Sequence, residues 1–299
     1  MKRRQILKLA AAGAAGLALG SRHAFADDAA VQKLADDLFL IRIPGEANVV
    51  AQTTKDGVVL VDGASAAGSA ALMKAVASLP GGAPIATLIN THWHPEQTGS
   101  NELLGKAGKT IIAQENTRLW LTTDVTWPWS GRTFKRLPKI AQPNKTFYTT
   151  GQLDSGARYG YIPDAAHTDG DLYVQFPKQN VLAVGDAMCG DGWPVVDYAT
   201  GGWIGGQVGA LQRLQALADA DTRIVPARGP VLTLADVKSQ LQMYTTLYGR
   251  LTSALNHGKS PGEAVADKLA KEFEAKMGNP DEYIRRSFES LWGYLSPDA

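Results

Sequence analysis

Residues 85–89, Ile-Ala-Thr-Leu-Ile, form an apolar run that gives way at once to Asn90-Thr91-His92-Trp93-His94-Pro95-Glu96-Gln97-Thr98-Gly99-Ser100-Asn101. The run reads as a buried strand, so whatever fold the chain adopts must place two imidazoles at the carboxyl end of a core strand. If the backbone stays extended there, residues two apart point to one face and both rings can reach one metal ion. Imidazole is the commonest protein ligand for zinc, and catalytic zinc sites take three nitrogen or oxygen ligands plus a water. Histidine is also scarce, with five in the 299 residues. Taken alone, a His-x-His pair fits two solvated loop histidines equally well. The rest of the chain has to decide.

Around this motif the pattern alternates. Leu38–Ile43, Asn48–Gln52 and Val58–Asp62 read as strands, separated by Pro44-Gly45 and Lys55-Asp56-Gly57. Ser65–Leu79 has helical composition and stops at Pro80-Gly81-Gly82. Beyond the histidine motif come a short helix over 99–104, a strand over 110–113 and a helix over 115–121. Residues 122–147, with Trp127-Pro128-Trp129, lack periodicity and read as a long covering loop. Strands resume over 159–162, 172–176 and 181–184. A helix over 208–218 leads into a strand over 222–225. From Thr233 onward the chain is helical, with Leu241, Tyr244, Tyr248, Leu251 and Leu255 on one stripe. Ser260-Pro261-Gly262-Glu263 is a helix start, followed by Val265, Leu269 and Phe273 at spacing four.

The first residues bear on compartment. Lys2-Arg3-Arg4 precedes a short apolar run, and Ala24-Phe25-Ala26 is a small-x-small cleavage site, so residues 1–26 read as a signal peptide. The run is too short to span a membrane, which needs roughly 20 apolar residues. Arg3-Arg4 followed by Ile6-Leu7-Lys8 resembles a twin-arginine signal, which exports proteins already folded, and a periplasmic location is expected. The formal net charge of +1 loses five positive charges with this segment and becomes −4, a balance that gives no hint of nucleic-acid binding. The single cysteine, Cys189, excludes an internal disulfide. A small-molecule substrate is the expected partner, with no stable membrane insertion once the signal is removed.

Further along, Ala165-Ala166-His167-Thr168-Asp169-Gly170-Asp171 precedes one strand, Val184-Gly185-Asp186 closes the next, and Asp62 follows an earlier one. With His92-Trp93-His94, this ordered set resembles the metallo-β-lactamase fold superfamily from about Asp36 to Pro230. The most specific pieces are Thr91-His92-x-His94-x-x-x-Thr98-Gly99-x-Asn101 and His167-Thr168-x-Gly170-Asp171. The resemblance implies an α/β (α+β) fold, the four-layer αββα sandwich. Residues 27–232 would form the family domain and residues 233–299 a C-terminal helical extension. It also implies His92, His94 and His167 as ligands of the first metal and Asp186 as the carboxylate bridging to the second.

Three positions depart from the family pattern: Glu96 for an aspartate, Gln97 for a histidine, and Arg228 for a histidine. All three fall on the second metal site. Arginine has no lone pair to donate and stays charged at working pH, so one zinc ion is expected rather than two. The Arg228 guanidinium is expected to take the vacated position and pair with Asp186, Glu96 or both. Asp62 is expected to orient a ligand loop, Cys189 to be a buried core residue rather than a soft ligand, and His257 to be surface.

A one-zinc site supports hydrolysis of an ester, thioester, amide or lactam carbonyl. The metal activates water, the metal or Arg228 steadies the oxyanion, and Glu96 or Asp186 takes the proton. Trp93, Trp127, Trp129, Trp193 and Trp203 are candidates to line the mouth. Two other classes fit the same residues: an inactive metal- or ligand-binding pseudoenzyme, and a mono-iron oxygenase using two histidines and Asp186.

Overall fold

The computed structural model describes residues 29–81 and 83–295; the segment read as a signal peptide lies outside the described residues. In chain order the first half comprises β1 (Ala30–Ala35), β2 (Leu38–Arg42), β3 (Val49–Thr54), β4 (Gly57–Val61), α1 (Ser69–Ala77), β5 (Ile85–Ile89), α2 (Pro95–Thr98), α3 (Asn101–Lys106), β6 (Thr110–Gln114), α4 (Glu115–Leu121), β7 (Val125–Thr126), β8 (Thr133–Phe134) and β9 (Lys145–Phe147). The second half comprises β10 (Thr150–Gln152), β11 (Arg158–Tyr161), β12 (Leu172–Phe176), β13 (Val181–Gly185), α5 (Ile204–Leu217), β14 (Arg223–Pro226), α6 (Leu234–Asn256), α7 (Pro261–Ala266), α8 (Glu274–Met277) and α9 (Asp281–Leu295).

Successive side chains in a strand point to opposite faces, and here both faces are apolar, so each sheet is covered twice. In the seven-stranded sheet, β1-β2-β3-β4-β5-β6-β9, the residues Leu40, Val50, Val59, Val61, Ile89 and Ile112 face the second sheet. There they meet Tyr159, Leu172, Val174, Phe176 and Val225 of the five-stranded sheet β10-β11-β12-β13-β14. The alternate residues Ile41, Val49, Ala51, Val58, Leu60 and Leu88 pack outward against Leu72 and Val76 of α1. On the far side, Leu182, Val184 and Ile224 pack against α5, α6 and α9 through Leu211, Leu214, Tyr244, Leu247, Phe288 and Leu291. The result is the expected mixed α/β four-layer αββα sandwich. The C-terminal helices share that last cluster with β13 and α5, so they complete a layer of the sandwich.

Several elements differ from the reading of the sequence, each for a local reason. β1 and β9 were not expected; they sit at the two ends of the large sheet, where exposed Val31 and Lys145 break any apolar signature. The 122–147 stretch is not one loop, for β7 and β8 pair as a small hairpin and β9 joins β6 in parallel. On α6 the buried stripe is Val237, Tyr244, Leu247, Leu251 and Ala254, while Leu241, Tyr248 and Leu255 lie on its flank. The Ser260–Glu263 capping box does start α7. That helix stops at Ala266 because Lys268 turns to φ +55°, so Val265, Leu269 and Phe273 do not share one helix.

Candidate metal centre

Every ligand candidate lies where a strand ends. His92 and His94 follow β5, His167 lies between β11 and β12, and Asp186 follows β13. The parallel pairings of β4 with β5 and of β13 with β14 align the carboxyl ends of these strands, the edge at which open α/β sheets hold their ligands. The backbone bends over residues 91–94 instead of continuing as a strand, and His94 caps α2 in an extended conformation (φ −61°, ψ 151°). Both rings nonetheless reach one point, His92 through Nε2 and His94 through Nδ1. The three imidazole centroids lie 4.7, 4.6 and 4.6 Å apart. One donor atom from each of His92, His94, His167 and Asp186 falls within 4.8 Å of the others. Asp186 Oδ2 is 3.4 Å from His92 Nε2 and 3.8 Å from His167 Nε2.

The outer nitrogens of the rings are all engaged. His94 donates from Nε2 to Asp197 Oδ2 at 2.9 Å, and Thr200 Oγ1 donates to the same oxygen at 2.7 Å. His167 donates from Nδ1 to the Val195 carbonyl at 2.7 Å. His92 Nδ1 meets Thr91 Oγ1 at 3.1 Å, and Asp62 holds Thr91 through both its backbone amide (2.8 Å) and its hydroxyl (2.9 Å). These bonds set the tautomers, leaving lone pairs on the inner nitrogens. His94 Nδ1 and His167 Nε2 then face each other at 3.0 Å, and buried His92 Nε2 has no hydrogen-bond partner. Two acceptors at that distance repel unless a proton or a cation lies between them. The donor set thus fits a metal ion of the borderline-soft, nitrogen-preferring kind.

The supporting loops are tied just as firmly. Asp171 accepts from the amides of His167 (2.7 Å) and Thr168 (3.1 Å) and from the Thr168 hydroxyl (2.6 Å), which explains the His-Thr-x-Gly-Asp spacing. Asn90 and Asn101 exchange side-chain amide bonds at 3.0 and 2.9 Å, clamping the two ends of the histidine motif. At Gly99 a Cβ would collide with the Ala66 amide, so only glycine lets the motif pack there.

Burial pushes the His92 pKa well below the ordinary histidine value, reinforced by His167, His94 and the charge of Arg228. His167 is pulled down by burial too, but Asp186, Asp171 and the Val195 carbonyl outweigh it and the net shift is upward. For Asp197 burial raises the pKa, yet the hydrogen bond and charge of His94 prevail and hold it below the usual carboxylate range. Burial raises Asp62 to about 8 against its two bonds from Thr91.

His92, His94, His167 and Asp186 are therefore brought together as expected. Glu96 and Arg228 stand outside the ligand group. The expected pairing of Arg228 with Asp186 or Glu96 is not formed: the side chain is exposed and no ion pair within 4 Å joins it to either carboxylate. Its loop is fixed from the backbone, with Gly190 N–H on the Arg228 carbonyl (3.0 Å) and Ala227 N–H on Gly185 (2.8 Å). This arrangement keeps the guanidinium hydrated, whereas sinking it into the site would cost several kcal/mol of desolvation. Gln97 is 1% exposed, and neither polar atom of its side chain has a partner. Cys189 is buried, with its thiol pushed by burial up to about 12, and it does not join the ligands. His257 is exposed at the end of α6.

Of the five tryptophans, Trp127 lies edge-on to His94 (5.3 Å) and stacks on Trp129 (5.0 Å), which meets Tyr198 at 4.9 Å. The other three are not part of that aromatic wall. Trp93 is buried, Trp193 stacks on Tyr283 of α9, and Trp203 stacks on Tyr294. The sequence reading missed Asp197, a fully buried acid 103 residues from the histidine that it holds.

The model of the Metallo-beta-lactamase superfamily matches residues 42–232. Among solved structures, the chain is similar to a metallo-beta-lactamase from Pontibacter korlensis, with 20% identity and a TM-score of 0.59, over 73% of this chain and 99% of that one. It is also similar to the DIM-1 metallo-beta-lactamase, with 17% identity and a TM-score of 0.57, over 73% of this chain and 98% of that one. No curated protein sequence matches it. At these identities the structures speak for the fold. The matched span runs from the end of β2 to Leu232, just before α6, and encloses every histidine and carboxylate of the centre, and on that ground the chain belongs to the metallo-beta-lactamase superfamily.

Proposed function

We propose that the protein is an exported hydrolase working with one zinc ion held by His92, His94 and His167, with Asp186 beside it. The observation that carries this reading is the convergence of three imidazole lone pairs whose outer nitrogens are all engaged, two of them facing at 3.0 Å. Three neutral imidazoles leave zinc its full double charge, and such an ion, when bound, lowers the pKa of water to about 7 and polarises a carbonyl.

The chain's own residues supply the rest. Asp186 is the carboxylate within reach of the three rings, and its side chain keeps 14% exposure, so it can take a proton from water and return it to solvent. Arg228 is exposed, yet its charge reaches His92, and it offers a cation to charge developing on the substrate. Trp127, Trp129 and Tyr198 form an aromatic wall beside His94. That wall favours an apolar or aromatic ester, thioester, amide or lactam. A second zinc lacks its ligands: Gln97 is a neutral amide, Glu96 lies outside the ligand group, and Arg228 adds positive charge. The twin-arginine-like start supports export after metal loading.

Elemental analysis of the purified protein is expected to give one zinc per chain. An ester and lactam panel is expected to show turnover that His94→Ala reduces at least a thousandfold. Iron in place of zinc, no metal, or turnover untouched by His94→Ala would each overturn the proposal.

A further inference from the structure

Trp93 also borders a cavity that the metal centre does not use. The cavity measures about 190 Å³ and is walled by Trp93, Leu121, Val125, Phe134 and Leu137. Exposed Ala66 and Thr123 stand at its rim, and no metal-ligand residue lines it. Its size is close to that of an apolar cavity of about 150 Å³ that stays dry and takes up benzene.

The polar groups around it are already engaged. Trp93 Nε1 donates to Thr200 Oγ1 at 3.0 Å, and Trp120 Nε1 donates to Asp169 Oδ1 at 2.6 Å. Thr98 Oγ1 donates to the His94 carbonyl, and rim Lys135 pairs with Asp124 at 2.7 Å. Rim Glu102 pairs with Lys106. A charged guest would find no unpaired charge among these side chains. Aromatic walls set at steep angles, such as Trp93 and Phe134 at 81°, favour a flat ring.

The position of Trp93 gives the cavity a consequence. Its ring lies edge-on to His94 at 4.5 Å. Its N–H begins a chain that runs through Thr200 Oγ1 to Asp197 Oδ2 and from there to His94 Nε2. We propose that this cavity binds a neutral one- or two-ring aromatic molecule, and that a guest packed on Trp93 stiffens this chain and tightens metal binding at His94. The second half rests on the metal-centre reading; the first half does not.

Linkage makes the coupling measurable without turnover: if the guest tightens zinc by some factor, zinc must tighten the guest by the same factor. Indole is the probe. Calorimetry is expected to show one indole bound to the metal-free protein, with a dissociation constant on the order of 0.1–1 mM for a nine-atom apolar ligand. Ala66→Phe and Thr123→Trp fill the rim from exposed positions. Each should weaken indole at least tenfold while the melting temperature holds. Zinc should then tighten indole roughly fivefold, matched by the effect of indole on zinc. No binding, or binding untouched by both rim variants, overturns the site. Equal indole affinity with and without zinc overturns the coupling, while zinc binding itself, measured separately, reports on the metal-centre reading alone.

Discussion

Asp197→Asn is the sharpest perturbation of the centre, because it changes one charge and almost no shape. The carboxylate is fully buried. One of its oxygens accepts from His94 and Thr200, and the other has no partner. Leaving a buried acceptor unpaired costs about 1–3 kcal/mol, so a carboxylate held there serves something other than packing. Its role is to keep the proton of His94 on Nε2 and the lone pair on Nδ1. Removing such an outer partner typically weakens metal binding 10- to 100-fold, or about 1.4–2.8 kcal/mol. The fold should hardly notice, because an amide oxygen can still accept from Nε2 as a neutral bond weaker by about 1 kcal/mol. Zinc affinity measured by competition with a chromophoric chelator, beside the melting curve of the metal-free protein, separates the two effects. Asp154→Asn, which removes one exposed charge, serves as the control for net charge. Zinc affinity within twofold of the parent in a well-folded Asp197→Asn protein would refute the tautomer argument.

The metal-free protein should hold a proton on His167 at a pH where free histidine has released it, since the net shift of that group is upward. Protonated imidazole cannot ligate, so zinc affinity should fall as pH falls from 8 to 6, by roughly tenfold per unit below that pKa; a flat profile would contradict the assignment. With its thiol pushed to about 12, Cys189 should be thiolate at only about one part in ten thousand at pH 8. A disulfide reagent should therefore label the native chain more than a thousandfold more slowly than the chain in urea, and comparable rates would mean that the site opens readily. At Gly202 a Cβ would strike the His167 carbonyl. Gly202→Ala is thus expected to cost about 1–3 kcal/mol in urea unfolding and to weaken metal binding with it; a stability equal to the parent would show that the 200–203 turn can shift freely.

What the sequence made legible was whatever physics writes locally. Core strands declare themselves by unbroken apolar runs, and the ligands follow because their motifs are short and stand at strand ends. Thr91 through Asn101 carries its own reason on the page: Asn90 and Asn101 close the segment, and Gly99 permits the contact with Ala66. Asp197 was invisible for the opposite reason. Its neighbours Val195, Val196 and Tyr198 form no motif, and only the fold brings it across 103 residues to His94. Tryptophans misled in the same way, because an aromatic side chain announces burial but not which cavity it borders. Trp193 and Trp203 turned to the C-terminal helices, where Tyr283 and Tyr294 offered stacking faces.

Arg228 shows most clearly how chemistry and geometry divide the work. The type of side chain alone settles that this position cannot ligate a metal, since a guanidinium has no lone pair. Where that side chain goes is decided by its backbone. Ala227 N–H donates to the Gly185 carbonyl, Gly190 N–H donates to the Arg228 carbonyl, and the Asn48 side-chain amide donates to the Pro226 and Gly229 carbonyls. These bonds fix the 226–229 turn and leave the guanidinium in water. Hydrated, it still acts at a distance, helping to keep His92 neutral. A neutral His92 is a ligand without a proton to lose. The same residue that cannot ligate a metal therefore helps to prepare a nitrogen that can. The exposed cation on the 226–229 turn and the buried donors of His92, His94 and His167 are then parts of a single electrostatic arrangement.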